Sequence, residues 1–356
     1  YLNMVGGQDE LVFDGGSFVV DDLGEIIYQA SSFKEEVFHL DIDLKIKKQN
    51  DKSSLLIRPK TIELKDIKSK SSMSENESIY SALKLGLLDY VSKNKFTKVL
   101  IGISGGIDSA LTAAICVDAL GAQNVIGVAM PSKYNSKDSL DDAIKLSTNL
   151  GIKLKTIEIE KIVDNFRETL KNSLNEELGQ ITDENIQSRV RGNILMGLSN
   201  QTGAMVVSTG NKSEMAVGYS TLYGDLAGGF ALIKDLYKSK VYELSNYRNS
   251  ISEVIPKDII TKEPSAELRP NQLDTDSLPD YEVLDKILNL YIEQDSSSEK
   301  IIATGIQPDL VYDVLEKVDR NEYKRKQVAP GVKLTQKAFG KDRRMPITNT
   351  YIRQKE

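Results

Sequence analysis

Lys98-Val-Leu-Ile-Gly-Ile-Ser-Gly-Gly-Ile-Asp-Ser-Ala110 decides the fold. Its first half, KVLIGI (98–103), is a short apolar run that reads as a buried strand. Its second half opens SALTAAICVDAL (109–120), a helical stretch. A strand that turns into a helix through two glycines is an anion site. Gly105 and Gly106 let the backbone take positive φ and approach a ligand closely. The amides of Ile107, Asp108 and Ser109 fall at the helix N-terminus, where partial positive charge favours phosphate. Ser104 and Ser109 add hydroxyls. Asp108 would repel a phosphate by itself; it fits if it holds Mg²⁺, which offsets that charge. The spacing is neither GxxxxGK[ST] nor GxGxxG.

Outward from this loop, strands and helices alternate. Strand-like runs lie at 124–130, 153–159 and 204–209. Helical runs lie at 77–94, 136–151, about 160–175 and 184–200, with Ser136 as N-cap and Gly151 as stop of the second. The pattern predicts an α/β fold with a doubly wound parallel sheet, Rossmann-like in layout. Residues 252–280 hold four prolines without periodicity and read as a long loop; helices follow at 281–293 and 308–318. Upstream, 1–44 reads as β-rich, with a hairpin turn at Asp21-Asp22-Leu23-Gly24 and a period-two run at Val37–Leu44. Residues 45–72 carry nine basic and three acidic residues and read as a solvated connector.

Composition narrows the chemistry. The 356 residues contain one Cys, one His and no Trp, with a net charge of −6. One Cys forms no internal disulfide and builds no cysteine metal site. Cys116, among apolar neighbours, reads as a small core residue, and His39 as structural or exposed. The mildly acidic balance argues against a nucleic-acid binder, and no apolar run is long enough to span a membrane. The scarcity of Cys fits a cytoplasmic location. Catalysis must therefore rest on carboxylates, lysines, hydroxyls, backbone amides or a borrowed ion.

SGGIDS resembles the pyrophosphate-binding loop of the N-type ATP pyrophosphatases, the adenine nucleotide alpha hydrolase-like group. Four further segments resemble NAD synthetase: ENIQSRVRGNILMGLSN (184–200), STGNKSEMAVGYSTLYGDLAGGFALIKDLYKSKVYEL (208–244), TKEPSAELRPNQLDTDSLPDYEVLD (261–285) and KAFGKDRRMPITNTY (337–351). The resemblance implies that ATP is a substrate, bound by Ile103, Ser104, Gly105, Gly106, Ile107, Asp108, Ser109, Thr209, Lys238 and Ser265. It implies Mg²⁺ on Asp108 and Glu214, and deamido-NAD near Asn185, Arg189, Glu214, Asp225 and Lys337, with Arg191 as a further donor. Lys341, Asp342, Arg343 and Arg344 are weaker candidates. Asp108 and Lys238 would be the catalytic pair, and 261–285 a mobile loop over ATP. A thiolating relative would need cysteine pairs, and this chain has none.

NMVGGQDELVFDGGSFVVDDLGEIIYQA (3–30) resembles the C-terminal end of a nitrilase-like αββα glutaminase domain, whose attacking Cys would lie upstream. The expected organisation is thus a glutaminase remnant over 1–44, a linker over 45–74 and the synthetase over 75–356. Glutamine-derived ammonia, the missing part of the glutaminase domain and a homo-oligomer, dimeric at the synthetase, follow as expected partners. Residues 1–44, lacking their sheet, would be poorly ordered or paired with a separate piece of the same polypeptide. Two alternatives stay open: a related enzyme for another acid, and a non-catalytic nucleotide-binding subunit.

Overall fold

A computed structural model describes residues 1–21, 23–39, 44–46, 57–59 and 73–348. Its centre is a five-stranded parallel sheet. In chain order the elements of this body are α1 (Glu75–Lys93), β7 (Val99–Gly102), α2 (Ile107–Leu120), β8 (Val125–Ala129), α3 (Lys137–Leu150), β9 (Lys153–Thr156), α4 (Glu160–Leu174), α5 (Gln180–Thr202), β10 (Met205–Ser208), α6 (Lys212–Val217), β11 (Phe230–Ala231) and α7 (Lys238–Ile251). They follow four strands, β1 (Val5–Gln8), β2 (Leu11–Asp14), β3 (Phe18–Val20) and β4 (Ile26–Gln29), and a backbone pair, β5 (Leu44–Ile46) with β6 (Ile57–Pro59). The sheet order is β11-β10-β7-β8-β9, all parallel.

Alternation along the strands explains the two helical layers. Val99 and Ile101 point into a core shared with α1, α2, α3 and α7, whereas Leu100 points into a second core shared with α4 and α5. On β10 Met205 and Val207 face the first core and Val206 the second. Each such side chain, at most 3% exposed, contributes about 2 kcal/mol of burial. The chain runs from β7 through β8 to β9 on one side and returns to β10 and β11 on the other. The order therefore reverses between β7 and β10, and a crevice opens beyond their C-terminal ends. The phosphate loop follows β7 and Thr209-Gly210 follows β10, so both lie at that crevice.

The strand and helix expectations hold within a few residues, including Ser136 as N-cap of α3 and Gly151 as its left-handed stop at φ 67°. Four expectations need correction. The 252–280 segment carries α8 (Lys257–Thr261) and a 3₁₀ turn at Asp274–Asp276. The helix expected over 281–293 is α9 (Tyr281–Leu288) followed by a π turn, Asn289–Glu293; α10 (Ser298–Ile302), α11 (Pro308–Arg320) and α12 (Glu322–Arg325) complete the helices among the described residues. Val37–His39 are not strand, and 40–43 lie outside the described residues. The connector carries the β5–β6 backbone pair; most of its other residues are outside those described. The turn expected at 21–24 joins β3 to β4, Asp22 itself lying outside the described residues.

The β1–β2 hairpin bears on the expectation for 1–44. It gains no third strand among the described residues, but it packs on another part of the chain, α1. The Gly7 N–H donates to Asp89 Oδ2 at 2.6 Å, and Lys93 Nζ to Gly7 O at 2.7 Å. A Cβ at Gly7 would lie 3.2 Å from the Gly86 backbone, which explains the close approach. Glu10 pairs with Lys234 at 3.1 Å. Cys116 is fully buried in α2, where burial pushes its thiol up, and His39 is exposed. Among the described residues no helix is long and apolar enough to cross a membrane.

Candidate active site

The crevice at the strand reversal is a cavity of about 570 Å³. Its floor is the phosphate loop. Gly105 takes φ 84°, and a Cβ there would fall 2.2 Å from Ser139 O, so only glycine fits. Gly106 differs from expectation: its φ is −96°, and it serves as the N-cap position of α2 instead. Ser104 is open to the cavity. Ser109 is turned inward, its hydroxyl donating to Gly106 O at 2.9 Å and accepting from the Ser104 N–H at 3.3 Å. It shapes the loop as well as lining the cavity.

Two segments converge on Asp108. Lys238, first residue of α7, donates to its Oδ2 at 2.5 Å. Asn211 donates to its Oδ1 at 2.8 Å. Glu214 lies 3.7 Å from the same ammonium. Asn211 and Glu214 are also linked by a capping box at the start of α6, which holds the Glu214 side chain against its own helix terminus. Burial, and then the nearby Asp108 charge, push the Glu214 carboxyl well above its ordinary range. Burial alone would lower Lys238, but Asp108 and Glu214 outweigh it and hold the ammonium charged. Two carboxylates facing one cation and an open cavity form a hard-oxygen set that needs more positive charge.

That donor set fits Mg²⁺, which takes one or two protein carboxylates and completes its shell with phosphate and water. Among the described residues no group of three or more His, Cys, Asp or Glu could hold a metal without such help.

The remaining wall comes from α5, the 219–225 turn and the 262–274 segment. Thr209, Asn185, Asp225 and Ser265 all line it, as do Ile103 and Ile107. Asn185 accepts from Thr221 Oγ1 at 2.7 Å. Asp225 accepts from the Thr221 N–H at 2.6 Å, and its concave setting raises its carboxyl to about 6 through desolvation. Ser265 donates to Gln272 O at 2.5 Å, which folds the 262–274 segment across the opening. Two expected contacts lie elsewhere. Arg189 is exposed, bonded to Leu222 O, and Lys337 pairs with Asp295; neither lines the cavity. Of Lys341, Asp342, Arg343 and Arg344, none lines it either. Arg191 does, anchored to Met130 O and Asn135, with burial lowering its guanidinium to about 10.

Sequence reasoning missed two residues at this site. Asn211 sits inside the quoted TGNKSE run, but nothing in the sequence marks it as the bridge to Asp108. Asp274 is 4% exposed, accepts from Tyr281 Oη at 2.8 Å and has Tyr219 as a second hydroxyl neighbour beside the cavity. It is one of several acids in 261–285, and only the 3₁₀ turn selects it for the interior.

The model of the NAD synthase family matches 79–328. A glutamine-dependent NAD(+) synthetase of Thermotoga maritima is 50% identical over 99% of this chain and 64% of its own length. The solved glutamine-dependent NAD+ synthetase of Acinetobacter baumannii, in complex with ADP, is 45% identical with a TM-score of 0.65, covering 98% of this chain and 61% of that one. The NMN synthetase of Francisella tularensis is 27% identical with a TM-score of 0.61, over 73% of this chain and 98% of its own. The chain thus spans less than two thirds of the length of its glutamine-dependent relatives. By the family model, the identity and the shared α/β architecture, this chain belongs to the NAD synthase family.

Proposed function

We propose that this chain amidates the nicotinate carboxylate of deamido-NAD at the cost of ATP, through an adenylated carboxylate, releasing AMP and pyrophosphate. The observation that carries the reading is the cluster of Asp108, Glu214 and Lys238 at the mouth of a glycine-rich phosphate loop. The family membership and the names of the relatives support it. Within the longer protein, ammonia would come from glutamine. Residues 1–44 would be the end of the glutaminase domain, 45–74 a linker and 75–356 the synthetase. A homo-oligomer and a cytoplasmic location belong to the same proposal.

In this reading the 104–109 loop and Thr209 bind the phosphates of ATP, with Ser265 closing over the nucleotide. Asn185, Asp225 and Glu214 contact the dinucleotide; support for Arg189 and Lys337 would have to come from outside this cavity. Asp108 and Glu214 would hold Mg²⁺, which when bound offsets charge on the phosphates. Lys238 and the amides at the start of α2 meet the leaving pyrophosphate as its charge grows, an electrostatic contribution set up before the reaction begins. Juxtaposing carboxylate, phosphate and amine supplies the rest. No Cys or His is required.

The test is direct. The chain is mixed with ATP, Mg²⁺, ammonium and deamido-NAD, and AMP, pyrophosphate and NAD are quantified. All three products should form in equal amounts. Nicotinate mononucleotide as the acid probes the reading that the Francisella relative's name suggests; faster turnover of that acid would replace deamido-NAD as substrate. Binding of ATP without AMP release for either acid would reduce the chain to a nucleotide-binding subunit.

A further inference from the structure

Beneath the cavity lies a second cation, facing the core. The Lys212 side chain is 0% exposed. Its Nζ donates to Asp235 Oδ1 at 2.8 Å, Glu293 Oε1 at 2.6 Å, Thr335 Oγ1 at 2.6 Å and Lys337 O at 3.1 Å. The rings of Tyr237 and Phe339 stand 5.1 and 5.8 Å from it. An ammonium has three protons, so four acceptors exhaust it. Its partners are equally committed. Asp235 Oδ2 accepts the N–H groups of Leu334 and Thr335, and Glu293 Oε2 that of Lys337. Glu293 comes from the π turn that ends α9, a local departure from α geometry.

The location is what matters. Lys212 sits between Asn211, which bonds Asp108, and Ser213, whose hydroxyl accepts the Lys238 N–H at 2.9 Å. The Lys212 N–H donates to Leu236 O at 2.8 Å. The segments 211–214 and 235–238 are therefore tied by the Lys212 backbone, the Lys212 side chain and Ser213. One segment carries Glu214 and the other Lys238. We propose that Lys212 is a positioning residue of the synthetase site: through Asp235, Glu293 and Thr335 it sets the spacing of Glu214 from Lys238 and Asp108, and makes that spacing depend on the seating of the 332–339 segment. Its kinetic readout rests on the proposed amidation; its binding readout does not.

The alternative is a core ion pair that serves stability alone. Lys212→Met strands two buried carboxylates and will melt early. Lys212→Met/Glu293→Gln leaves only Asp235 ionised, still held by Leu334, Thr335 and the Thr335 hydroxyl. Thr335→Val removes one acceptor without a charge change. Thermal midpoints are recorded without ligand and across a Mg²⁺ titration with ATP, since ligand binding raises the midpoint. The double variant should recover most of the unliganded midpoint. The Mg²⁺ concentration for half the ATP-dependent rise should still increase about fivefold or more, with a smaller increase in Thr335→Val. With ammonium and deamido-NAD, kcat should fall about tenfold or more at unchanged KM for ammonium. A Mg²⁺ dependence equal to wild type in both variants would overturn the proposal, as would a rate loss that only tracks the folded fraction. A wild-type chain that makes no NAD would defeat the amidation reading and leave the Mg²⁺ titration to decide on Lys212.

Discussion

Lys212 and Lys238 are both buried, at 0% and 2% exposure, yet their surroundings make them opposites. Lys212 is enclosed by four acceptors from three stretches of the chain and does not line the site cavity. Lys238 has Asp108 at 2.5 Å, Glu214 at 3.7 Å and the Tyr281 ring at 5.1 Å, and opens onto the cavity. A saturated cation keeps its partners and orders the elements that bring them. An unsaturated cation facing carboxylates that also face the cavity can turn to an incoming phosphate. Burial alone therefore does not distinguish a structural lysine from a functional one; the open side does.

The first way to break this comparison is at the saturated lysine. Lys212→Met removes one partner from two buried carboxylates, and such losses cost about 3–5 kcal/mol. Urea denaturation should show that drop. A loss under about 1 kcal/mol, the range of exposed pairs, would mean that the carboxylates relax easily and that Lys212 orders little.

At the unsaturated side the balance reverses. Asp108→Ala should cut ammonia-dependent turnover by about 10²-fold or more, the scale of a lost electrostatic group. Its stability should change far less than that of Lys212→Met, since the removed carboxylate faces a cavity. Steady-state NAD formation measures the first and urea denaturation the second. Near wild-type turnover would remove Asp108 from the proposed machinery.

The two lysines also mark what the sequence discloses. The phosphate loop was legible because it is contiguous: strand, paired glycines and helix start lie within one stretch, and chain order alone puts amides beside a ligand. Asp108 stands out within the loop as a carboxylate beside a phosphate site, but Glu214 and Lys238 are singled out only through resemblance, because their meeting with it depends on the sheet order that sets β10 beside β7. Lys212 was invisible. Its partners Asp235, Glu293 and Thr335 are far apart in the chain, and TGNKSE gives no sign that its lysine turns inward while its glutamate turns to the cavity. The 252–280 segment misled for a related reason: its prolines advertised a loop, but Asp274 is selected by a single 3₁₀ turn. The β1–β2 hairpin reads in the sequence as strands without a sheet, because nothing local to it shows the helix it covers.

Asp225 tests the comparison from the anionic side. Its carboxylate is held by the Thr221 N–H and the Ser188 hydroxyl rather than by a cation. Desolvation raises its folded pKa from 3.8 to about 6. A raised acid pKa means that the folded state binds the proton more tightly, so this group's contribution to stability declines as pH rises from about 4 to about 6 and is level above that. Its opening to cavity water reduces the size of the effect to about 1 kcal/mol. Asp225→Asn should abolish that decline, read as urea midpoints at acid and neutral pH. An equal decline in the variant would place the titration elsewhere.

Lys234 supplies the intermediate case and the smallest effect. Its side chain is 9% exposed, paired with Glu10 at 13%, and it also donates to Ala329 O at 3.2 Å. Glu10→Gln keeps an oxygen for the ammonium to meet but removes the charge, so only the coulombic part is lost, about 0.5–1 kcal/mol. The hairpin keeps its other ties, from Gly7 to Asp89 and Lys93 and from the Lys333 N–H to Glu10 O. The urea midpoint should fall slightly and ammonia-dependent kcat should not change, because Lys234 does not line the cavity. A fall in kcat larger than the loss of folded protein would show that the hairpin reaches the Asp225–Lys238 stretch through Lys234, and saturation would then no longer separate ordering lysines from working ones.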